Sequence, residues 1–114
     1  GKFYNEDDNL DFPKHRFKKF IKDIVTGTIE RNDLILDELN TKLGDDFVFE
    51  NLDKVFQTIL KAATYEFMYK PQLSLNIIIK EYLNSSNFFL ENSQTKYLNA
   101  LLDNVGKKLR SKNA

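Results

Sequence analysis

Leu52-Asp53-Lys54-Val55-Phe56-Gln57-Thr58-Ile59-Leu60-Lys61-Ala62-Ala63-Thr64-Tyr65-Glu66-Phe67 is the stretch that decides the fold. Leu52, Val55, Phe56, Ile59, Leu60, Ala63 and Phe67 recur at i, i+3, i+4 and i+7, the spacing that lines one face of an α-helix. Pro71 lies just beyond and ends it. Working outward, Ser74 is placed to cap a next helix with the stripe Leu75, Ile78, Ile79 and Tyr82, closed by Asn84-Ser85-Ser86-Asn87. Its Ile-rich run also suits a strand, but a lone strand would leave its backbone groups unpaired, so a helix is expected. Ser93 is expected to cap a last helix carrying Leu98, Leu101, Leu102, Val105 and Leu109, with a basic tail fraying from Lys107.

Upstream, Asp11-Phe12-Pro13 is a helix start, and Phe17, Phe20, Ile21, Ile24 and Val25 follow at helical spacing. Gly27 and Thr28 loosen that helix. A second stripe of Ile29, Leu36, Leu39 and Leu43 stops at Gly44, which suits a left-handed C-terminal position, and Asp45 to Glu50 connects to Leu52. The expectation is an all-α protein, a compact five-helix bundle. Its domain plan is a flexible acidic lead-in over residues 1–10 and one helical domain over 11–114.

Composition narrows the chemistry. The 114 residues include 17 basic and 17 acidic side chains, one His, no Cys and no Trp, with 41% hydrophobic and 30% charged residues. That supports one hydrophobic core and excludes a disulfide scaffold, a thiolate zinc site, a two-His metal site and a cysteine nucleophile. The longest apolar runs, such as Ile77-Ile78-Ile79, are three residues, far short of a bilayer span. The start, Gly1 to Asp8, lacks the pattern of a signal peptide, so a cytoplasmic protein is expected.

Candidate chemical groups are few. His15, between Lys14 and Arg16, reads as a solvated surface side chain. Glu66 and Glu81 could act as an acid/base pair only in a shared cleft, and a salt link from either to a Lys is the plainer reading. No Gly-rich phosphate loop, serine elbow or metal-ligand spacing occurs, so no cofactor, no metal and no enzyme activity are expected.

Charge placement says more. Lys14, Arg16, Lys18, Lys19 and Lys22 load the first helix, and Lys107, Lys108, Arg110 and Lys112 load the C-terminus, around an acidic middle from Glu30 to Asp53. Such basic ends suit a phosphate backbone or simply a solvated helix face. Lys96 beside Tyr97 is sharper: a cation and a ring near a helix start can contact a phosphate and stack on an unpaired base, though periodicity alone makes Tyr97 a core-edge aromatic. Phe88-Phe89-Leu90 reads as core closure between the last two helices rather than as a partner patch.

Val55-Phe56-Gln57-Thr58-Ile59-Leu60-Lys61-Ala62-Ala63-Thr64-Tyr65-Glu66, then Ile79-Lys80-Glu81, then Tyr97-Leu98-Asn99-Ala100-Leu101-Leu102-Asp103 resemble, in order and spacing, the signature segments of the NusB family of bacterial transcription antitermination factors. Phe17 to Gly27 resembles a further family helix. The resemblance implies an all-helical fold that binds the single-stranded boxA element of nascent RNA with NusE, a small-subunit ribosomal protein, within the RNA polymerase antitermination complex that makes ribosomal RNA. It places RNA contacts at Ser93, Lys96 and Tyr97. It also implies an arginine-rich N-terminal helix, where this sequence has the acidic stretch Gly1 to Asn9, so the family's first helices are expected to be absent from it. Phe56 stands where the family usually has an acidic residue of the NusE surface, and is expected at the partner-binding face, either as one more buried ring or as a self-association patch. Two other readings stay open: a non-catalytic interaction module working as a homodimer, and the RNA-binding domain of a larger RNA methyltransferase.

Overall fold

A computed structural model describes residues 22–88 and 90–111 of the chain. The acidic lead-in, His15, the stripe residues Phe17, Phe20 and Ile21, Phe89 and most of the first basic cluster lie outside the described residues. The described residues form five α-helices and a short 3-10 turn, with no strand among them: α1 over 22–30, α2 Asn32–Leu43, the turn Phe49–Asn51, α3 Lys54–Tyr69, α4 Leu75–Ser86 and α5 Asn92–Arg110. The Ile-rich segment is helix. The all-α reading holds.

The central pair is α3 and α5. These two pack on each other and on both α2 and α4. Their apolar stripes meet in a core where Leu60, Ala63, Leu98, Leu102 and Val105 are fully buried, together with Ile35 and Leu39 of α2 and Ile78 of α4. Each such aliphatic side chain stabilises the fold by about 1.5–3 kcal/mol relative to exposure. Gly106 lets α5 approach closely, because a Cβ there would lie 2.9 Å from Leu75 Cδ2 and 3.1 Å from Phe67 Cζ.

Several local expectations change. Gly27 does not loosen α1. Its carbonyl accepts from Arg31 N at 3.0 Å, and the helix breaks only at Arg31; the missing side chain at Gly27 makes room for the Tyr65 ring, with which a Cβ would collide. Val25 and Ile29 are exposed, Ile29 at 71%, because the face of α1 turned inward is the one carrying Ile24 and Gly27. Val55 is also exposed, so the α3 stripe buries Phe56, Leu60, Ala63 and Phe67 without it. Gly44 takes the positive φ of 87° that favours glycine, with an extended ψ of 177° instead of the left-handed helical value. Phe88 is 91% exposed and closes no core, while Leu90 packs against it.

Helix ends follow side-chain chemistry. Asp53 caps α3 by accepting from Val55 N at 3.0 Å, and Ser74 caps α4 as expected, accepting from Ile77 N at 3.2 Å. The cap of α5 is Glu91, not Ser93: Glu91 accepts from the backbone of Gln94, and Glu91 N donates to Gln94 Oε1 at 2.9 Å. Ser93 therefore sits inside the first turn. The basic end does not fray at Lys107. Helix α5 continues to Arg110, whose guanidinium donates to the carbonyls of Phe67 (3.1 Å), Lys70 (2.9 Å), Glu66 (3.4 Å) and Leu73 around the α3–α4 turn. Lys108 Nζ donates to Lys42 O at 2.9 Å, at the end of α2. Two cations of the C-terminal cluster thus close helix C-termini, where carbonyls and the helix dipole favour positive charge.

Candidate nucleic-acid interface

The N-terminal ends of α3 and α5 lie side by side, and between them opens a groove of about 380 Å³. One wall comes from the 3-10 turn and the start of α3, through Asn51, Leu52, Asp53 and Phe56. The other comes from the start of α5, through Ser93, Gln94 and Tyr97. Three of the four residues singled out in the sequence, Phe56, Ser93 and Tyr97, therefore line one cavity. Lys96 is exposed on the same turn and makes no ion pair among the described residues.

The two rings have different roles. Phe56 is only 5% exposed, which settles it as a buried ring, and it packs against Tyr97 with centroids 5.6 Å apart and planes tilted by 39°. A tilted pair of this kind contributes about 0.5–1.5 kcal/mol beyond area burial. Tyr97 is 50% exposed, so one side is held by Phe56 while much of the ring remains accessible.

The rim of the groove is pinned by Gln57, which the sequence reading did not assign to the site. Gln57 Nε2 donates to Leu52 O at 2.9 Å and Phe49 O at 3.2 Å, which ties the 3-10 turn to α3 and sets the position of Asn51, Leu52 and Asp53. Phe49 is buried beneath that turn, with Lys61 Nζ 5.8 Å from its ring centroid and 2.8 Å from Asn32 Oδ1. Asp53 and Gln94 were also missed as groove residues. Asp53 was legible as a cap, an acidic side chain just before an apolar-periodic run, but its neighbour across the groove lies on another helix.

At the far end of α3 the polar groups are engaged with one another. Glu66 is 2% exposed and accepts from Tyr82 Oη at 2.8 Å. Burial pushes its carboxyl above the ordinary range, against the opposing pull of that hydrogen bond, and burial likewise raises the Tyr82 phenol. Glu81 is exposed, so the two glutamates form no shared cleft, and the partner of Glu66 is a tyrosine rather than the expected lysine. Nearby, Lys70 Nζ lies 2.5 Å from Asp23 Oδ2 and lowers the Asp23 carboxyl, while the Arg31 guanidinium stacks 4.6 Å from the Tyr69 ring centroid.

The described residues contain no group of His, Cys, Asp or Glu arranged to hold a metal, and no described helix is long and apolar enough to cross a membrane. Fold and groove together define an all-helical domain with a supported aromatic at a helix start. The NusB family model matches residues 4–107, and the chain belongs to the NusB family. It is 31% identical over 93 residues to the transcription antitermination protein NusB of Sphingopyxis alaskensis, covering 82% of this chain and 62% of that protein. It is 33% identical over 91 residues to that of Novosphingobium aromaticivorans (80% and 62%), and 30% identical over 92 residues to that of Mesorhizobium japonicum (81% and 59%). The matched region is thus about three-fifths of these relatives' length. No solved structure matches the chain.

Proposed function

We propose that this chain is a non-catalytic RNA-binding transcription antitermination factor of the cytoplasm, with residues 11–114 as one binding domain. It holds boxA-type single-stranded RNA with NusE in the RNA polymerase complex that makes ribosomal RNA. The observation that carries the reading is the groove that unites Phe56, Ser93 and Tyr97, beside an exposed Lys96. Tyr97 stacks on an unpaired base, Phe56 backs it, the Ser93 hydroxyl and the first-turn N–H groups of α5 face the strand, and Lys96 neutralises a phosphate. Phe56 reaches a partner protein only indirectly, by fixing Tyr97 and the groove wall. The names of the relatives support the transcription role.

The test is fluorescence anisotropy with a labelled boxA-type RNA at two salt concentrations, alone and with NusE. Binding that weakens with salt, tightens with NusE and drops by roughly tenfold or more in the Lys96→Ala/Tyr97→Ala double variant supports the reading. No binding by either route contradicts it. A second reading, a homodimeric interaction module, is favoured by exposed Val25 and Ile29, one turn apart on α1, and predicts a mass that rises with concentration. The remaining reading, the RNA-binding domain of a methyltransferase, shares the groove and requires a longer parent protein.

A further inference from the structure

We infer that the groove is a pocket for nucleobases that rejects phosphate, so that a bound strand turns its bases into the groove and keeps its phosphates outside, at Lys96. This rests on the RNA reading given above and adds which part of the nucleotide the groove takes. Two helix starts open onto the groove, and a helix start ordinarily draws anions through its free N–H groups and its dipole. Here each start already carries a carboxylate. Asp53 accepts from Val55 N at 3.0 Å on α3, and Glu91 accepts from the Gln94 backbone on α5. Glu50, exposed one residue before Asn51 of the same wall, adds a third negative charge. Among the described residues, no Lys, Arg or His lines the groove.

Two exposed cations, Lys54 and Lys96, lie near these helix starts without being part of the lining. Helical geometry separates them. Lys54 is two positions before Phe56, about 200° around α3 and so on the far side of that helix, whereas Lys96 is three positions after Ser93, about 60° around α5 and so at the rim. Inside the groove the half-exposed Tyr97 ring, backed by Phe56, stands with Leu52, the amides of Asn51 and Gln94 and the Ser93 hydroxyl. These suit a neutral planar group: stacking serves every base, and amides, a hydroxyl and leftover N–H groups can bond base carbonyls or ribose hydroxyls. A phosphate in the same place would give up water for carboxylates with no cation in reach. Lys96 at the rim can hold a phosphate that stays in water, a contact that positions the strand.

The experiment follows the backbone amides of the full chain, at fixed ionic strength, during titration with three probes: a short oligouridine, the same oligomer with uncharged methylphosphonate linkages, and inorganic pyrophosphate. Both oligomers are expected to shift the amides of residues 51–56 and 93–97, and pyrophosphate to leave residues 51–56 still. Tyr97→Ala should weaken both oligomers by roughly tenfold, the scale of one lost stacking contact. Lys96→Ala should weaken the charged oligomer by about two- to fivefold, the range of one exposed ion pair, and leave the uncharged one unchanged. Asp53→Asn keeps a capping oxygen for α3 and removes the charge, so it should tighten the charged oligomer relative to the uncharged one. Unchanged thermal midpoints in the variants would show that the helix ends survive. Pyrophosphate shifts on residues 51–56, or a groove that answers the charged oligomer and ignores the uncharged one, would overturn the inference, because phosphate would then be what the groove holds. An Asp53→Asn variant that changes both oligomers alike, or neither, also overturns it. If neither oligomer touches the groove, the RNA reading itself fails and takes the inference with it.

Discussion

The two ends of α3 treat their polar groups in opposite ways. At the C-terminal end, Arg110 occupies the carbonyls of Phe67, Lys70 and Leu73, Tyr82 occupies the Glu66 carboxylate, and Lys70 occupies Asp23. At the N-terminal end, the groups that cap the helices are only half used, and a half-exposed tyrosine stands between them on a buried phenylalanine. One end spends its hydrogen bonds on holding α3, α4 and α5 together. The other leaves Asp53 Oδ2, the Gln94 amide NH2 and part of the Tyr97 ring without a partner among the described residues. Basic side chains alone do not mark a binding surface in this molecule: Lys108 and Arg110, which suit a phosphate backbone or a solvated helix face in the sequence, bond backbone carbonyls of other helices, whereas Lys96 is exposed beside the groove.

Substitutions at the two ends should separate stability from binding. Arg110→Ala is expected to have the largest effect on stability, about 1–3 kcal/mol, because it strips donors from partly buried carbonyls; urea denaturation would read this as a lower midpoint, with RNA affinity of the folded protein unchanged. Arg110→Lys should recover only part of the loss, since an ammonium cannot span the same set of carbonyls. Gln57→Ala comes next. It frees the 3-10 turn from α3, so it should cost about 1 kcal/mol of stability and, unlike Arg110→Ala, also weaken RNA binding by displacing the groove wall. An unchanged affinity there would show that the groove does not depend on its rim.

Glu66 gives a smaller effect whose sign is set by burial. The native state holds this proton more tightly than the unfolded chain, so the group's contribution falls as pH rises from the ordinary glutamate value of 4.5 through the raised native value. Asp23 acts in the opposite direction: its lowered carboxyl stabilises the fold above the ordinary aspartate value of 3.8 and loses that contribution as pH falls. Glu66→Gln keeps an acceptor for Tyr82 and should flatten the decline in the thermal midpoint between mildly acidic and neutral pH. Smallest of all is Phe88→Ser, which should change stability by no more than about 0.5 kcal/mol, because the ring is almost wholly in water. A clear loss of RNA affinity in that variant would extend the interface beyond the groove.

Much of this was legible in the sequence where the physics is local. The stripes of α3 and α5 have a period that only a helix satisfies, and Ser74 before an apolar run is a cap wherever it occurs. What could not be read depends on contacts between distant segments. Nothing near Arg110 announces that it reaches carbonyls some 40 positions away, and nothing near Gly27 announces the ring of Tyr65. Val25 and Ile29 were assigned to the interior because they are apolar, but a helix with apolar residues on more than one face does not say which face turns in. Glu91 was passed over as a cap because Ser93 has the stronger intrinsic preference, although Glu91 and Gln94 carry the spacing of a reciprocal capping pair. For the site, the sequence gives Lys96 and Tyr97 on one helix start, but the facing wall, Asn51 to Asp53, is placed by the packing of α3 on α5.

The most direct measurement is amide chemical-shift mapping of the full chain titrated with a boxA-type single-stranded RNA. The account predicts that the largest changes fall on residues 51–56 and 92–97, the two walls of the groove, and that residues 66–73 and 108–110 stay nearly still. Changes centred on the Arg110 and Glu66 end, with the groove silent, would contradict it.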